Sequence, residues 1–380
     1  MKTWMIIGTC FVLGITIVSW RIVTPPEPTA LASFESPFVF GQFRLPLENP
    51  LTEEGVALGR RLFYDRRLSG NNEVACSTCH MQQLAFTDGE ATSVGVSGHA
   101  LKFNSMSLVN LLWGPRRFFW NGRADSLEEQ ALQPIQHPDE MGQNLDELIE
   151  ELKDDADYVQ MFYVSYGSIT ADNIANALAS FLRTLVSANS KYDKYIRGEL
   201  KLSAQEELGR KLFMAHPDVK VSLRGGNCID CHSQFLTSGF KTSYDGFSNN
   251  GLDADADLPP GLQLVTGESA HRGLFKVPTL RNIALTSPYM HDGRFATLEE
   301  VLDHYNGGVK LSSTLSPLIA EANNASLATP SASDTSTISL HLGESEKTAI
   351  ITFLHTLTDW DFITNPALSD PLVKIVSDES

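Results

Sequence analysis

The chain has 380 residues, 42% hydrophobic and 20% charged, a globular composition long enough for two domains with separate cores. Its net charge of −17 argues against nucleic acid as a partner. That acidity suits plain solubility or the docking of a basic redox protein.

Met1 and Lys2 precede an apolar run from Trp4 to Trp20, followed by Arg21 and Pro25-Pro26-Glu27-Pro28. The run is short for a membrane span and long for a signal-peptide core. No small-residue cleavage site follows closely, since Ala30-Leu31-Ala32 lies well downstream. Cys10 stands mid-run in a poor context for lipidation. The segment reads as an uncleaved inner-membrane tether in preference to a cleaved export signal. Either reading puts the rest of the chain in the periplasm.

Leu58-Gly59-Arg60-Arg61-Leu62-Phe63 ends a Glu-containing helical stretch, and Cys76-Ser77-Thr78-Cys79-His80 follows it. The pair recurs as Leu208-Gly209-Arg210-Lys211-Leu212-Phe213 and Cys228-Ile229-Asp230-Cys231-His232. Cys-x-x-Cys-His is the attachment pattern of a c-type haem. Two thiols on one helical turn reach two porphyrin vinyl groups, and the adjacent imidazole reaches the iron. Paired Cys-x-x-Cys knuckles can also hold zinc. The immediate His at both sites, their wide separation and the export segment favour two covalent haems. Only Cys10 is then left over, so no disulfide forms within one chain.

The repeat predicts two cytochrome c-like domains arisen by duplication. In each, the Gly permits close helix packing, and the Leu and Phe make an apolar face for an N-terminal helix and the porphyrin edge. Between them, Leu145–Leu152 and Ile174–Val186 carry helical periodicity, the second with Asp172 as a candidate cap. Ser345–Leu357 is a further amphipathic helix closing the second domain. Strand signals are scarce. Residues 246–258 read as a loop whose carboxylates either bind a cation or line a solvated turn. Residues 311–339, rich in Ser, Thr, Ala and Asn, read as a surface insertion or mobile loop.

Trp120-Asn121-Gly122-Arg123-Ala124 leads into Ser126-Leu127-Glu128-Glu129-Gln130, a capped helix start, then Pro134 and Pro138-Asp139-Glu140-Met141-Gly142. Alone, a Trp at such a position reads as core. Thr286-Ser287-Pro288-Tyr289-Met290-His291-Asp292-Gly293 precedes a second capped start at Thr297 and the run to Tyr305. Alone, Thr-Ser-Pro is a turn.

Together these segments closely resemble the bacterial di-haem cytochrome c peroxidase and MauG family, from about Phe38 to Asp361. The resemblance implies a mainly α fold of two haem domains, 37–195 and 196–380, behind a leader of residues 1–36, with haems facing the interface. It makes Trp120 an electron relay between haems and puts Gln130 and Glu140 in a peroxide pocket. Pro134 then lies on the distal side of the first haem. Backbone oxygens of Thr286 and Pro288 join Asn104 around a calcium ion, a hard cation suited to such donors. Tyr305 falls at the sixth ligand position of the second haem, as in the MauG branch, with Met290 the competing ligand. Peroxidases fed by small redox proteins use Met there, which raises the potential, whereas a phenolate stabilises higher oxidation states.

His99 is open between two readings, an axial ligand of the resting first haem or a loop histidine. The pattern Gly95-Val96-Ser97-Gly98-His99 looks more like the branch without that ligand. MauG has a Trp two residues before its second haem site, on the route to its protein substrate; Gly226 stands there in this chain. The resemblance thus implies hydrogen peroxide reduction at the first haem, supplied by a small cytochrome c or cupredoxin. Modification of a partner protein is the alternative, and a non-catalytic di-haem electron carrier a second.

Overall fold

Thr52 begins the first helix by accepting a hydrogen bond from the Gly55 N–H, filling a vacancy that every helix start leaves. The computed structural model describes residues 25–31, 36–37, 40–41, 43, 45–113, 117–216, 224–233, 246–324 and 339–372. Helix α1 (Glu53–Phe63) is followed by the one-turn α2 (Cys76–Cys79), α3 (Leu127–Gln136), α4 (Leu145–Lys153) and α5 (Ala156–Tyr166). Then come α6 (Ala171–Arg183), α7 (Lys191–Ile196), α8 (Ala204–Met214), α9 (Gln263–Thr266) and α10 (Leu298–Asp303). The last are α11 (Pro317–Asn324), α12 (Glu344–His355) and α13 (Trp360–Ile363). Ser126 caps α3, and Thr297 with Glu300 caps α10 reciprocally. Helix α6 is capped by Thr170, whose hydroxyl accepts from the Asn173 N–H; Asp172 lies inside the first turn. Its carboxylate favours the helix start through charge alone.

Two features depart from the sequence expectation for 246–258. Strand β1 (Phe247–Ser248) pairs antiparallel with β2 (Phe275–Lys276). Asp253 is committed to Arg294 at 3.0 Å and Asp255 to the Ser313 N–H at 2.8 Å. Among the described residues no group of three or more His, Cys, Asp or Glu gathers as a metal site.

The duplication is visible in how each half packs. A Cβ on Gly59 would lie 1.8 Å from the Ala177 carbonyl oxygen, and one on Gly209 1.9 Å from that of Ala349. Each glycine therefore lets its helix touch the backbone of a later one, α1 on α6 and α8 on α12. The partner is the last long helix of each half, not an N-terminal one, because α1 and α8 themselves lie near the start of their halves. Phe63 meets Phe181 at 5.3 Å between ring centroids, and Phe213 meets Phe353 at 5.7 Å. Each such ring contributes about 1.5–3 kcal/mol by leaving water.

The two cores do not divide at one point in the chain. Tyr192 of α7, before residue 196, belongs to the second core. Phe362, Ile363 and Leu368 return to the first. Arg60 of α1 and Tyr64 at its C-terminal cap hold that returning segment through the carbonyls of Ser369, Pro366 and Leu368. At the junction, Asp359 accepts from the Ser187 hydroxyl and the Asn189 N–H, while its own N–H donates to Asn282. Asn110 closes the cluster onto Ser187. Such a satisfied buried network fixes one arrangement of the halves.

Part of the 311–339 stretch is structured: Ser312 and Thr314 accept from Asn249, and α11 follows. Residues 325–338, the apolar run Trp4–Trp20 and Cys10 lie outside the described residues. Among the described residues no helix is long and apolar enough to cross a membrane.

Replacing Gly59 or Gly209 by Val is expected to destabilise the fold by at least about 1–3 kcal/mol, the range for overpacked cores. Thermal unfolding followed by circular dichroism checks this; a variant melting with the parent would contradict the close crossing.

Candidate functional site

Helix α2 places Cys76 and Cys79 one turn apart and delivers His80 at its C-terminal cap. The next segment turns sharply, with Ala85 and Phe86 both left-handed at φ of +53° and +61°. Side chains rarely accept that backbone, at about 1–3 kcal/mol each. What the turn achieves is an aim: the Phe86 carbonyl meets His80 Nδ1 at 2.8 Å, with the Ser105 hydroxyl at 3.4 Å. Nδ1–H held this way fixes the tautomer and leaves Nε2 as the free donor for a metal. Burial pulls the His80 imidazole below its ordinary value, so the ring is neutral. The same burial pushes the Cys76 thiol up to about 12, an environment suited to an uncharged sulfur.

These residues open into a cavity of about 850 Å³, shared with Trp120, Gln130, Pro134 and Glu140. Helix α3 supplies Gln130 and Pro134. Pro134 has no N–H to offer the Gln130 carbonyl one turn back. The Gln130 side-chain oxygen is buried with no hydrogen-bond partner in the structure. A buried acceptor without a donor costs about 1–3 kcal/mol unless an occupant supplies one. Glu140 lies on the turn after α3, 3.8 Å from Arg123. Arg123 is held flat on the Phe119 ring at 3.4 Å and donates to Gln133 at 3.0 Å.

Asn104, Thr286 and Pro288 line the same cavity. The Asn104 side-chain N–H donates to the Glu90 carbonyl at 2.9 Å, leaving its amide oxygen as a donor for a hard cation. His99 is elsewhere. Its side chain is 80% exposed, 4.0 Å from Asp139, and is not part of the cavity wall.

In the second half, Cys228 and Cys231 flank a tighter turn, and His232 Nδ1 lies 3.1 Å from the Pro278 carbonyl. Burial holds this imidazole down at about 4, again neutral with Nε2 free. Tyr305 and Met290 share this second cavity. It measures about 200 Å³, narrow for a flat macrocycle, so its donor set, not its size, identifies it. Tyr305 lies in the π-helical turn 304–308 that extends α10, a widened geometry often found at functional sites. Burial pushes its phenol up to about 12. A cation beside the oxygen is what would favour the phenolate. A Cβ on Gly226 would lie 2.8 Å from Cys228 Sγ, so a side chain there would have to displace that sulfur.

Four contributors had no signal in the sequence. Asn250 donates to Met290 Sδ at 3.3 Å and to the Tyr305 hydroxyl at 3.4 Å, tying both candidate ligands together. Leu318 and Ile319 of α11 wall the second cavity from inside a low-complexity stretch. Lys276 on β2 lines both cavities, as Trp120 does. Between the cavities the Trp120 Nε1–H donates to the Asn104 carbonyl, and the Asn104 N–H to that of His291, each at 2.9 Å. The Lys276 N–H donates to the Trp120 carbonyl at 2.9 Å, and so closes the seam between halves.

Two Cys-x-x-Cys-His turns, each presenting a neutral imidazole to adjacent cavities, define the class: a two-haem redox protein built mainly of helices. The family description "Di-haem cytochrome c peroxidase" matches residues 53–201. The methylamine utilization protein MauG of Methylorubrum extorquens is 40% identical, over 70% of this chain and 72% of that protein. The cytochrome c551 peroxidase of Nitrosomonas europaea is 35% identical, over 67% of this chain and 73% of its own length. A solved MauG-like protein associated with microbial copper homeostasis superposes with a TM-score of 0.76 at 34% identity, covering 89% of this chain and 99% of that one. The chain belongs to the di-haem cytochrome c peroxidase and MauG family, and is an oxidoreductase of that kind.

Proposed function

We propose that this chain is a periplasmic peroxidase carrying two covalent haems c, one through Cys76, Cys79 and His80, the other through Cys228, Cys231 and His232. It reduces hydrogen peroxide at the first. The observation that carries this reading is the grouping of Glu140 and the unpartnered Gln130 oxygen in the cavity that His80 enters. A pure electron carrier needs no acid–base group there.

The haem iron supplies the electrophilic and redox centre at which the O–O bond breaks. Glu140 accepts the proton of the near peroxide oxygen and returns it to the departing one. Gln130 accepts a hydrogen bond from the substrate and so orients it. Arg123, 3.8 Å from Glu140, steadies the carboxylate between these transfers. Pro134 keeps an apolar wall over the distal face. Balanced overall, one peroxide takes up two protons and two electrons and leaves as two waters.

The electrons cross from the second half past the Trp120 indole, which lines both cavities. Tyr305, which lines the second cavity, would hold the iron of the second haem through its phenol oxygen. Met290 is the weaker candidate, since Tyr305 carries the hard oxygen that suits the ferric state. Asn104, Thr286 and Pro288, which line the first cavity, would hold a calcium ion through their oxygens. His99 is a loop histidine, in keeping with its exposure.

The electron source is a small cytochrome c or cupredoxin. Tyr305 and the 40% identity to MauG favour a second reading, oxidation of residues in a partner protein. Gly226 stands where MauG has its Trp, so this second reading requires an exit different from MauG's.

Glu140→Gln is expected to slow the peroxide reaction by about 10²–10⁴-fold with both haems retained. Stopped-flow mixing with peroxide reads this, and unchanged kinetics would remove Glu140 from the chemistry. Tyr305→Met is expected to raise the midpoint potential of the second haem; an unaltered potential and spectrum in spectroelectrochemical titration would mean that Tyr305 is not a ligand.

A further inference from the structure

Lys276 is a buried cation facing two cavities with no anion beside it. The residue is 3% exposed, and its Nζ donates to the Arg117 carbonyl at 2.9 Å. The ammonium also lies 4.9 Å from the Phe118 ring centroid. Among the described residues no carboxylate pairs with it, and burial alone pulls its ammonium down to about 7. A lone buried charge is costly, and proteins keep one where a partner offsets it.

The position is also rigid. Lys276 pairs with Phe247 across the two-stranded ribbon, and its N–H is tied to the Trp120 carbonyl. Swinging the side chain to the surface would break the bond from its Nζ to the Arg117 carbonyl. The other cations on the first cavity wall are differently placed. Arg123 is committed to Glu140 and Gln133, and Lys102 is exposed over the Phe103 ring. Phe118, the ring beside the Lys276 ammonium, lines the first cavity and not the second.

We propose that Lys276 binds a propionate carboxylate of the haem in the first cavity. The porphyrin is apolar apart from its propionates, so these are the anions that enter with it. The assignment rests on the reading of that cavity as a haem site. It makes Lys276 a positioning residue: the ion pair anchors one edge of the first haem to the strand that carries the Trp120 seam. It also neutralises a negative charge near the iron, which favours the reduced state.

Lys276→Met and Lys276→Gln in the full-length holoprotein test this, the second keeping a polar side chain without the charge. Haem content is measured as the pyridine adduct, and the two midpoint potentials by spectroelectrochemical titration. Both variants are expected to lower the midpoint of the first haem and leave that of the second in place, with Lys276→Arg restoring the parent value. Unchanged midpoints in either charge-removing variant bearing two haems would overturn the proposal, as would a shift confined to the second haem. Fewer than two haems in the unaltered protein would overturn the cofactor reading itself.

Discussion

The Trp120 loop is held between the two halves by three backbone-directed hydrogen bonds, from Trp120 to Asn104, from Asn104 to His291 and from Lys276 to Trp120. Everything functional depends on that seam. Asn104 and Trp120 belong to the first half and His291 and Lys276 to the second, so neither half builds the wall between the cavities alone. Trp120 is 7% exposed, and in such a low-dielectric setting these bonds are strong and their loss expensive. The indole is thereby locked where it lines both cavities at once. The proposed relay would need that fixity, because electron transfer is steeply sensitive to separation and orientation.

Duplication explains the scaffold but not the division of labour. The paired crossings Gly59 on Ala177 and Gly209 on Ala349 make matching close approaches, and both imidazoles are steered by a backbone carbonyl at Nδ1. The differences lie in what closes each cavity. In the first half α3 and its following turn bring Gln130, Pro134 and Glu140. In the second, the turn after α10 brings Tyr305, and Asn250 bridges it to Met290. One repeated fold thus closes its first cavity with the Gln130 and Glu140 side chains and its second with the Tyr305 phenol and the Met290 thioether.

Local features were legible in the sequence. The Cys-x-x-Cys-His turns, the Ser126 and Thr297 caps and the repeated hexapeptides all declare themselves within a few residues. Long α4, α6 and α12 follow their apolar periodicity to within a turn. Contacts set by tertiary approach were not. Lys276 sits in a two-residue strand with no alternation to read, and Asn250 in a run of Asn and Gly that resembles any loop. The α11 residues Leu318 and Ile319 lie in a stretch whose composition hides their burial against the second cavity. Thr170 outcompetes Asp172 as a cap because only Thr170 has the extended backbone a cap requires.

The final segment of the chain gives folding an unusual order. Phe362 rests 5.7 Å from Phe86, whose carbonyl orients His80, and Gln82 reaches across to the Phe362 and Asn365 carbonyls. The half that leaves the ribosome first is therefore completed last. Until its far end arrives, the earlier-made cofactor pocket has an unfinished floor, so a prematurely ended product would forfeit the distant domain's integrity along with its own.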